Sequence, residues 1–200
     1  MTTAQPPSPR ADVGTAFVMA AWRLPALFGV VFYGVDALTG WRQTRLPLHL
    51  PWELAIPYWP PAYLAYFSVL AVPLLPLWLA RDAAQVRQWE RRMALAILIA
   101  AIFFLALPSQ PGYAPADAGA WSAWARLAHS IAGQHNMLPS LHVALSLLTM
   151  RFVWPQAGPG LRVGLAAWWL AMAASVLLTH QHHLADVAAG IGLALALRPR

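Results

Sequence analysis

Apolar residues along this chain fall into six runs that polar or proline-rich segments separate. The runs cover residues 13–38, 61–80, 93–107, 138–154, 161–179 and 182–197. Several of them approach the ~20 residues that a helix needs to cross a bilayer. Arg23 and Pro25 interrupt the first run, and Pro73 and Pro76 should kink the second. The pattern predicts an all-α membrane protein with six transmembrane helices.

The segments outside the runs predict how the domain is organised. The polar, proline-rich residues 1–12 are predicted to be a flexible N-terminal tail, and residues 13–200 a single membrane-embedded domain. Residues 39–60 are dense in Trp, Pro and Arg, a composition typical of a segment lying along the membrane interface. A short surface helix is predicted within residues 118–132 of the longest connection.

Charge indicates how the chain sits in the membrane. Hydrophobic residues make up 60% of the chain, the net charge is +6, and arginine supplies every basic side chain except histidine. Most arginines flank the runs on the side that holds both termini, so the positive-inside rule predicts cytoplasmic termini. The basic charge therefore indicates topology, and we expect no nucleic-acid partner. The absence of Cys and Lys excludes disulfides, thiolate metal sites and lysine or cysteine nucleophiles.

Histidine is concentrated in two short stretches. Five of the seven histidines lie in residues 135–142 and 179–186. With six spans, both stretches stand at the outer ends of their helices, so we expect them to meet at one leaflet.

The second stretch pairs a histidine with a carboxylate. His182 and Asp186 are four residues apart and would share one helix face. A carboxylate that accepts one ring N–H fixes the tautomer and leaves the other nitrogen free as a nucleophile. The alternative is a buried polar pair that only joins helices. An unpaired Asp within a span costs about 2.5–3.5 kcal/mol, which favours the functional interpretation.

The first stretch has the features of an anion site. Pro139 near a helix start fixes φ without losing a hydrogen bond, and Ser140 and the free N–H groups of that turn would face an anion. His142 would then offer a proton. The alternative is an ordinary helix cap with a satisfied histidine. Together the two stretches suit displacement at phosphorus through a phosphohistidine, with no metal and no other cofactor.

The two stretches resemble motifs of the type-2 phosphatidic acid phosphatase superfamily. Residues 139–142, Pro-Ser-Leu-His, are similar to its second motif, Pro-Ser-Gly-His. Its third motif is Ser-Arg, five residues, His, three residues and Asp, and residues 175–186 match that spacing with Val in place of Arg. The resemblance implies His182 as nucleophile, Asp186 as its orienting carboxylate and His142 as proton donor, with a membrane lipid phosphate as substrate.

The chain departs from the family at its basic phosphate ligands. If Gln110 aligns with the Arg of the first motif, Phe103 stands where the family has Lys, and Val176 replaces the third-motif Arg. Candidates for substrate binding in their place are His135, His180, His183, Ser140 and Gln110. The inositol phosphorylceramide and sphingomyelin synthases are similar in these departures, which implies transfer of a phospho-alcohol head group between lipids as an alternative to hydrolysis.

Several interpretations stay open at this point. The expected protein is a multi-pass enzyme of a bacterial inner membrane, with its site facing the periplasm and its oligomeric state undetermined. The alternatives are a di-iron or zinc enzyme, an intramembrane serine protease that uses Ser140, and a catalytically inactive scaffold or transporter. Asp36 and Glu53 fall on the outer side, where they would bind a polar head group or serve a structural role.

Overall fold

The computed structural model describes residues 9–133 and 135–197, with side chains from Asp12 onward. In these residues the chain is helical, with no β-strand and a single isolated bridge between Leu46 and Ser109. The α-helices are α1 (Pro9–Phe28), α2 (Gly34–Gly40), α3 (Tyr63–Ser68), α4 (Leu75–Leu79), α5 (Ala83–Ala106), α6 (Ser122–Ile131), α7 (Leu141–Val153), α8 (Pro159–Leu178) and α9 (Leu184–Ala196). The predicted all-α class is confirmed for the described part of the chain.

The first apolar run forms a helix that changes its winding once. Helices α1 and α2 are joined by a π-helical turn, Gly29–Tyr33, and Pro25 lies inside α1. Proline has no backbone N–H to donate to the preceding turn, so Pro25 removes one hydrogen bond of the helix shortly before the π-helical turn begins. Of the predicted flexible tail, residues 1–8 lie outside the described residues, and residues 9–12 belong to α1.

The second run is broken, as its prolines predict. Helix α3 gives way to a 3₁₀ turn, Val72–Leu74, before α4 begins; Pro73 lies in this turn and Pro76 in the first turn of α4. The predicted kink is confirmed.

Three segments of the described chain are long and apolar enough to cross a membrane. They are Asp12–Gly40, Pro60–Leu79 and Pro159–Leu178. Helix α5 has 24 residues, but its first turns carry charged side chains. Helices α7 and α9 have 13 residues each, fewer than the ~20 that span a bilayer. Length and composition thus support three of the six predicted spans.

Helix α7 lies at the centre of the bundle, where it packs against α4, α5, α8 and α9, and α5 packs in turn against α1. Their shared core includes Phe17 of α1, Met93 of α5 and Leu148 of α7. Inside it, the Trp89 indole N–H donates to the Thr149 hydroxyl oxygen over 3.1 Å. This packing fixes α7 against α9 and brings their N-terminal ends together.

Candidate active site

The N-terminal ends of α7 and α9 are joined through their backbones. The Ser140 N–H donates to the Asp186 carbonyl oxygen over 3.0 Å. Gly190 lies one turn further along α9, where an added β-carbon would stand 2.6 Å from the Ser140 carbonyl oxygen. Only glycine permits this approach, and the approach sets the distance between the two histidine stretches.

We expect Gly190→Ala to disturb the site. The added β-carbon has to push α7 away from α9, and overpacking of this kind costs about 1–3 kcal/mol. Thermal unfolding of purified protein in detergent should shift to lower temperature, with a loss of activity. Gly192→Ala is the matched control, because a β-carbon there meets no atom within 4 Å. Equal behaviour of the two variants would show that the close approach does not matter.

His182 is held by a buried carboxylate. Its Nδ1 lies 3.3 Å from Oδ2 of Asp186, whose side chain is fully buried. The same Oδ2 accepts the His183 backbone N–H over 2.8 Å. The spacing predicts His182 and Asp186 on one helix face, whereas α9 begins only at Leu184, so the contact forms across the helix cap. When the His182 Nδ1–H donates a hydrogen bond to Asp186, Nε2 of the same ring carries no proton and keeps its lone pair.

His142 stands opposite His182. It lies in the first turn of α7, and the two ring centres are 6.0 Å apart. Tyr66 packs on the His142 ring at a centre-to-centre distance of 4.4 Å. Among the described residues His142 makes ring contacts and no hydrogen bond, so both of its nitrogens remain available to a ligand. The two rings are close enough to reach one phosphoryl group between them.

Ser140 lies behind this pair. It is the N-cap of α7, fully buried, and its hydroxyl oxygen accepts the Val143 N–H over 3.4 Å. Pro139 precedes the cap instead of occupying the first helical turn. Ser140 therefore caps the helix and satisfies one N–H group of its first turn.

One cavity of about 780 Å³ joins the site to the interior of the bundle. Five of the predicted site residues line it: Gln110, His135, His142, His180 and His182. Ser140, His183 and Asp186 are not among its lining residues. The remaining walls are mostly apolar side chains of α1, α5, α7 and the broken α3–α4 segment.

His180 and Tyr113 form a stacked pair beside the cavity. Their ring centres are 3.9 Å apart and nearly parallel, and the Nε2 of His180 lies 2.9 Å from the Ile56 carbonyl oxygen, to which it donates. Burial lowers the pKa of His180 below its ordinary value, so this ring is neutral at pH 7. Burial also raises the pKa of Tyr113 to about 12, with the charges of Glu53 and Asp186 adding to the effect. His180 is thus a poor substitute for a missing arginine.

His183 is buried in a network of its own. Its Nε2 accepts the Gly112 backbone N–H over 3.1 Å, which leaves the ring proton on Nδ1, 3.3 Å from Oε2 of Glu53. That Oε2 also accepts the Leu184 N–H over 3.0 Å. Glu53 and His183 are each 1% exposed. Glu53 therefore ties the interfacial segment to the start of α9, and neither side chain faces the cavity.

His135 contacts Arg45, and both residues line the cavity. Its backbone N–H donates to the Asp36 carboxylate over 2.9 Å, and its Nε2 lies 3.2 Å from Nη2 of Arg45. Arg45 lines the cavity together with His182, whereas Arg126 is exposed on α6 and is not a lining residue.

Glu53, expected from the sequence to bind a polar head group or serve a structural role, is buried against His183 and Leu184. Arg45 and Tyr113 are the residues that the sequence does not assign to the site. They lie in loops, with no repeating pattern or motif around them. The one signal in the sequence for Arg45 is that the predicted topology places it among the few arginines on the outer side. Within the described residues, no group of three or more His, Asp or Glu side chains is placed to hold a metal ion.

Comparison with known proteins agrees with this geometry. A model of the PAP2 superfamily matches residues 50–198, which cover the helices from α3 to α9 and both histidine stretches. No curated protein matches the chain significantly. No solved structure matches it significantly either. The family match covers well over half of the sequence, and the chain belongs to the PAP2 superfamily, whose members are generally phosphatases or phosphotransferases.

Proposed function

We propose that this protein is an integral-membrane lipid phosphatase or phosphotransferase that works through a phosphohistidine on His182. One observation supports this most directly. The cavity that has His142 and His182 in its wall continues into a groove lined by hydrocarbon side chains. A ligand that fills it has a phosphate at one end and a long apolar chain at the other.

The apolar part of the cavity has the dimensions of a lipid chain. It follows the first helix from Phe32 in the π-helical turn to Phe17 in α1, roughly 20 Å at about 1.5 Å per residue. On the other side it runs along α5 from Ile97 to Trp89. The break in α3–α4 contributes further apolar wall through Leu70 and its neighbours. Among the described residues no charged side chain lines this stretch, so a bound hydrocarbon chain would desolvate no charge there.

The first chemical step forms the phosphohistidine. The Nε2 lone pair of His182 attacks phosphorus, and the bond from phosphorus to the leaving oxygen breaks. His142, protonated, gives its proton to that oxygen, which leaves as a neutral alcohol. The Asp186 carboxylate accepts the hydrogen bond from the His182 Nδ1–H and offsets the positive charge that develops on the imidazole ring.

The second step returns the enzyme to its starting state. His142, now neutral, takes a proton from water or from an alcohol, whose oxygen attacks phosphorus while the bond to Nε2 breaks. Water gives inorganic phosphate or a phosphomonoester, and an alcohol gives a transferred phosphoester. The resemblance to inositol phosphorylceramide and sphingomyelin synthases supports transfer to an alcohol acceptor as an alternative to hydrolysis.

The proposed setting is a bacterial inner membrane, with six crossings, cytoplasmic termini and the site at the outer leaflet. The distribution of arginine supports this orientation. Helices α7 and α9 are short because the loops that carry the histidines complete the crossing on the outer side. Those loops are buried in protein, which is where irregular backbone is tolerated at membrane depth. A substrate could then enter from the leaflet without leaving the membrane.

Turnover of radiolabelled phospholipids by the purified protein tests this function. Assays with and without an alcohol acceptor separate hydrolysis, which releases labelled phosphate, from transfer, which gives a new labelled lipid. Activity is expected to survive excess chelator. Activity that chelator removes and zinc or iron restores would support a metal enzyme, and no turnover of any phosphoester would support a scaffold or transporter.

We expect Ala21→Trp to shift the preference towards short-chain substrates. Ala21 lines the groove on α1, and an indole there excludes several methylenes of a long chain. Because the excluded methylenes lose their packing contacts with the groove, the KM for long-chain substrates should rise severalfold. The rate on p-nitrophenyl phosphate should change little. Val18→Trp is the matched control, because Val18 is exposed on α1 and lies outside the groove. Equal KM values in the two variants would mean that the hydrocarbon chain of the lipid binds outside this groove.

A further inference from the structure

The family positions for basic phosphate ligands are occupied by side chains that do not carry charge. Phe103 is 43% exposed on the outer surface of α5, and Val176 is fully buried in the core next to α3. Gln110 lines the cavity but is neutral. A phosphoryl group that gains negative charge during displacement needs a nearby cation for stabilisation. The site therefore requires a positive charge from another part of the chain.

From the position of Arg45 we infer that this residue supplies the charge that binds and stabilises the phosphate. The inference rests on the proposed function and identifies the binding group of that site. Arg45 precedes the range that the family model matches, 50–198, so it is an element that the family pattern does not include.

A backbone bridge places Arg45 beside Gln110, where the family resemblance would place the first-motif arginine. Leu46 pairs with Ser109 in a parallel bridge, and the Leu46 N–H donates to the Pro108 carbonyl oxygen over 3.0 Å. Arg45 directly precedes one partner of the bridge, and Gln110 directly follows the other. Both line the cavity that holds His182. The charge missing at residue 110 is thus provided from the neighbouring loop.

The guanidinium is held in place by neutral acceptors. Nη1 donates to the Thr39 carbonyl oxygen over 2.7 Å, and Nη2 donates to the Gly40 carbonyl oxygen and to Nε2 of His135, each over 3.2 Å. In the described part of the chain, no carboxylate oxygen lies within 4.0 Å of the Arg45 guanidinium nitrogens. Its charge is therefore not neutralised by an ion pair.

The same contacts leave donors for a ligand. Arginine has five N–H donors, and these three hydrogen bonds use three of them. The Thr39 and Gly40 carbonyls belong to the last turn of α2, where a cation is favourable because of the helix dipole. This C-terminal cap orients the guanidinium, and the two remaining N–H groups are available to phosphate oxygens. A role confined to capping would not require the residue to line the cavity.

Substitutions at Arg45 and Gln110 test this inference by moving the charge. Arg45→Gln should lower kcat/KM for the lipid phosphate about 10²–10³-fold. It should weaken inhibition by vanadate, which mimics the transition state at phosphorus, to a similar degree. Arg42→Gln is the matched control, since Arg42 is exposed in the same loop and does not line the cavity. The double variant Arg45→Gln/Gln110→Arg should recover most of the vanadate affinity, because the charge returns across the bridge.

The outcomes separate this inference from the proposed function. An active wild-type protein in which Arg45→Gln binds vanadate as tightly as Arg42→Gln would overturn the inference alone. A loss of activity with unchanged vanadate affinity would show that Arg45 only caps α2. If Arg45→Gln unfolds, a folded double variant that fails to bind vanadate would also overturn it. A wild-type protein that neither turns over phosphoesters nor binds vanadate would overturn both.

Discussion

Replacing His182 by alanine is expected to abolish turnover, with a fall in kcat on the order of 10⁶-fold, the size seen when a catalytic nucleophile is removed. The expectation follows from the contact of its Nδ1 with the buried Asp186, which leaves Nε2 as the unprotonated nitrogen of a ring that lines the cavity. A reaction quenched during turnover of labelled substrate should leave label on this residue. The bond should be stable in alkali and labile in acid, as expected for phosphorus bound to imidazole nitrogen.

Chemical rescue distinguishes loss of the nucleophile from loss of the fold. In His182→Gly, added imidazole can occupy the vacated space and attack phosphorus in place of the side chain. Partial recovery of turnover with imidazole, together with an unchanged unfolding temperature, is the expected result. Label found on Ser140, or an active His182→Ala protein, would reject the assignment, although the buried position of Ser140 as a helix cap makes it a poor nucleophile.

The meeting of the two histidine stretches could be predicted because it depends on local pattern and on topology alone. Consecutive spans alternate in direction, so the starts of α7 and α9 lie at the same end of the bundle. The spacing from His182 to Asp186 then needs only a few residues of backbone to bring ring and carboxylate together. The structure places these side chains in contact, although across a helix cap instead of along a helix face.

The number of residues in each helix could not be read from the apolar runs. The runs 138–154 and 182–197 predict spans, but α7 begins only after the Ser140 cap and α9 only after His183. The residues before these caps are mostly buried, whether they are apolar or polar, because the loops that hold them pack inside the bundle. An apolar run therefore records burial, and it gives the length of a helix only where the flanking loops are exposed.

The loop contacts at the site were beyond prediction for a different reason. Arg45 reaches His135 across 90 residues, and Glu53 reaches Leu184 across 131. Such contacts depend on how irregular loops are anchored, here by the bridge from Leu46 to Ser109. Neither periodicity nor helix spacing carries information about them, so a sequence without the expected basic ligands does not imply a site without charge.

His142→Ala is expected to lower turnover of a lipid phosphate by about 10²–10⁴-fold, the usual contribution of a general acid. The reason is geometric. The His142 ring centre lies 6.0 Å from that of His182, both rings line the same cavity, and the His142 nitrogens make no hydrogen bond to other described residues. From there it can protonate the leaving oxygen of an alkyl phosphate, which is otherwise expelled as a strongly basic alkoxide.

A substrate with a good leaving group separates proton donation from phosphate binding. p-Nitrophenolate leaves without a proton, so His142→Ala should lose much less activity on a p-nitrophenyl ester than on the lipid. His142→Gln tests the same point with the ring replaced by an amide, which can donate a hydrogen bond but cannot transfer a proton. It should behave like the alanine variant on the lipid. Equal losses on both substrates, with weaker vanadate inhibition, would mean that His142 binds the phosphate, and the proton would then have to come from water in the cavity.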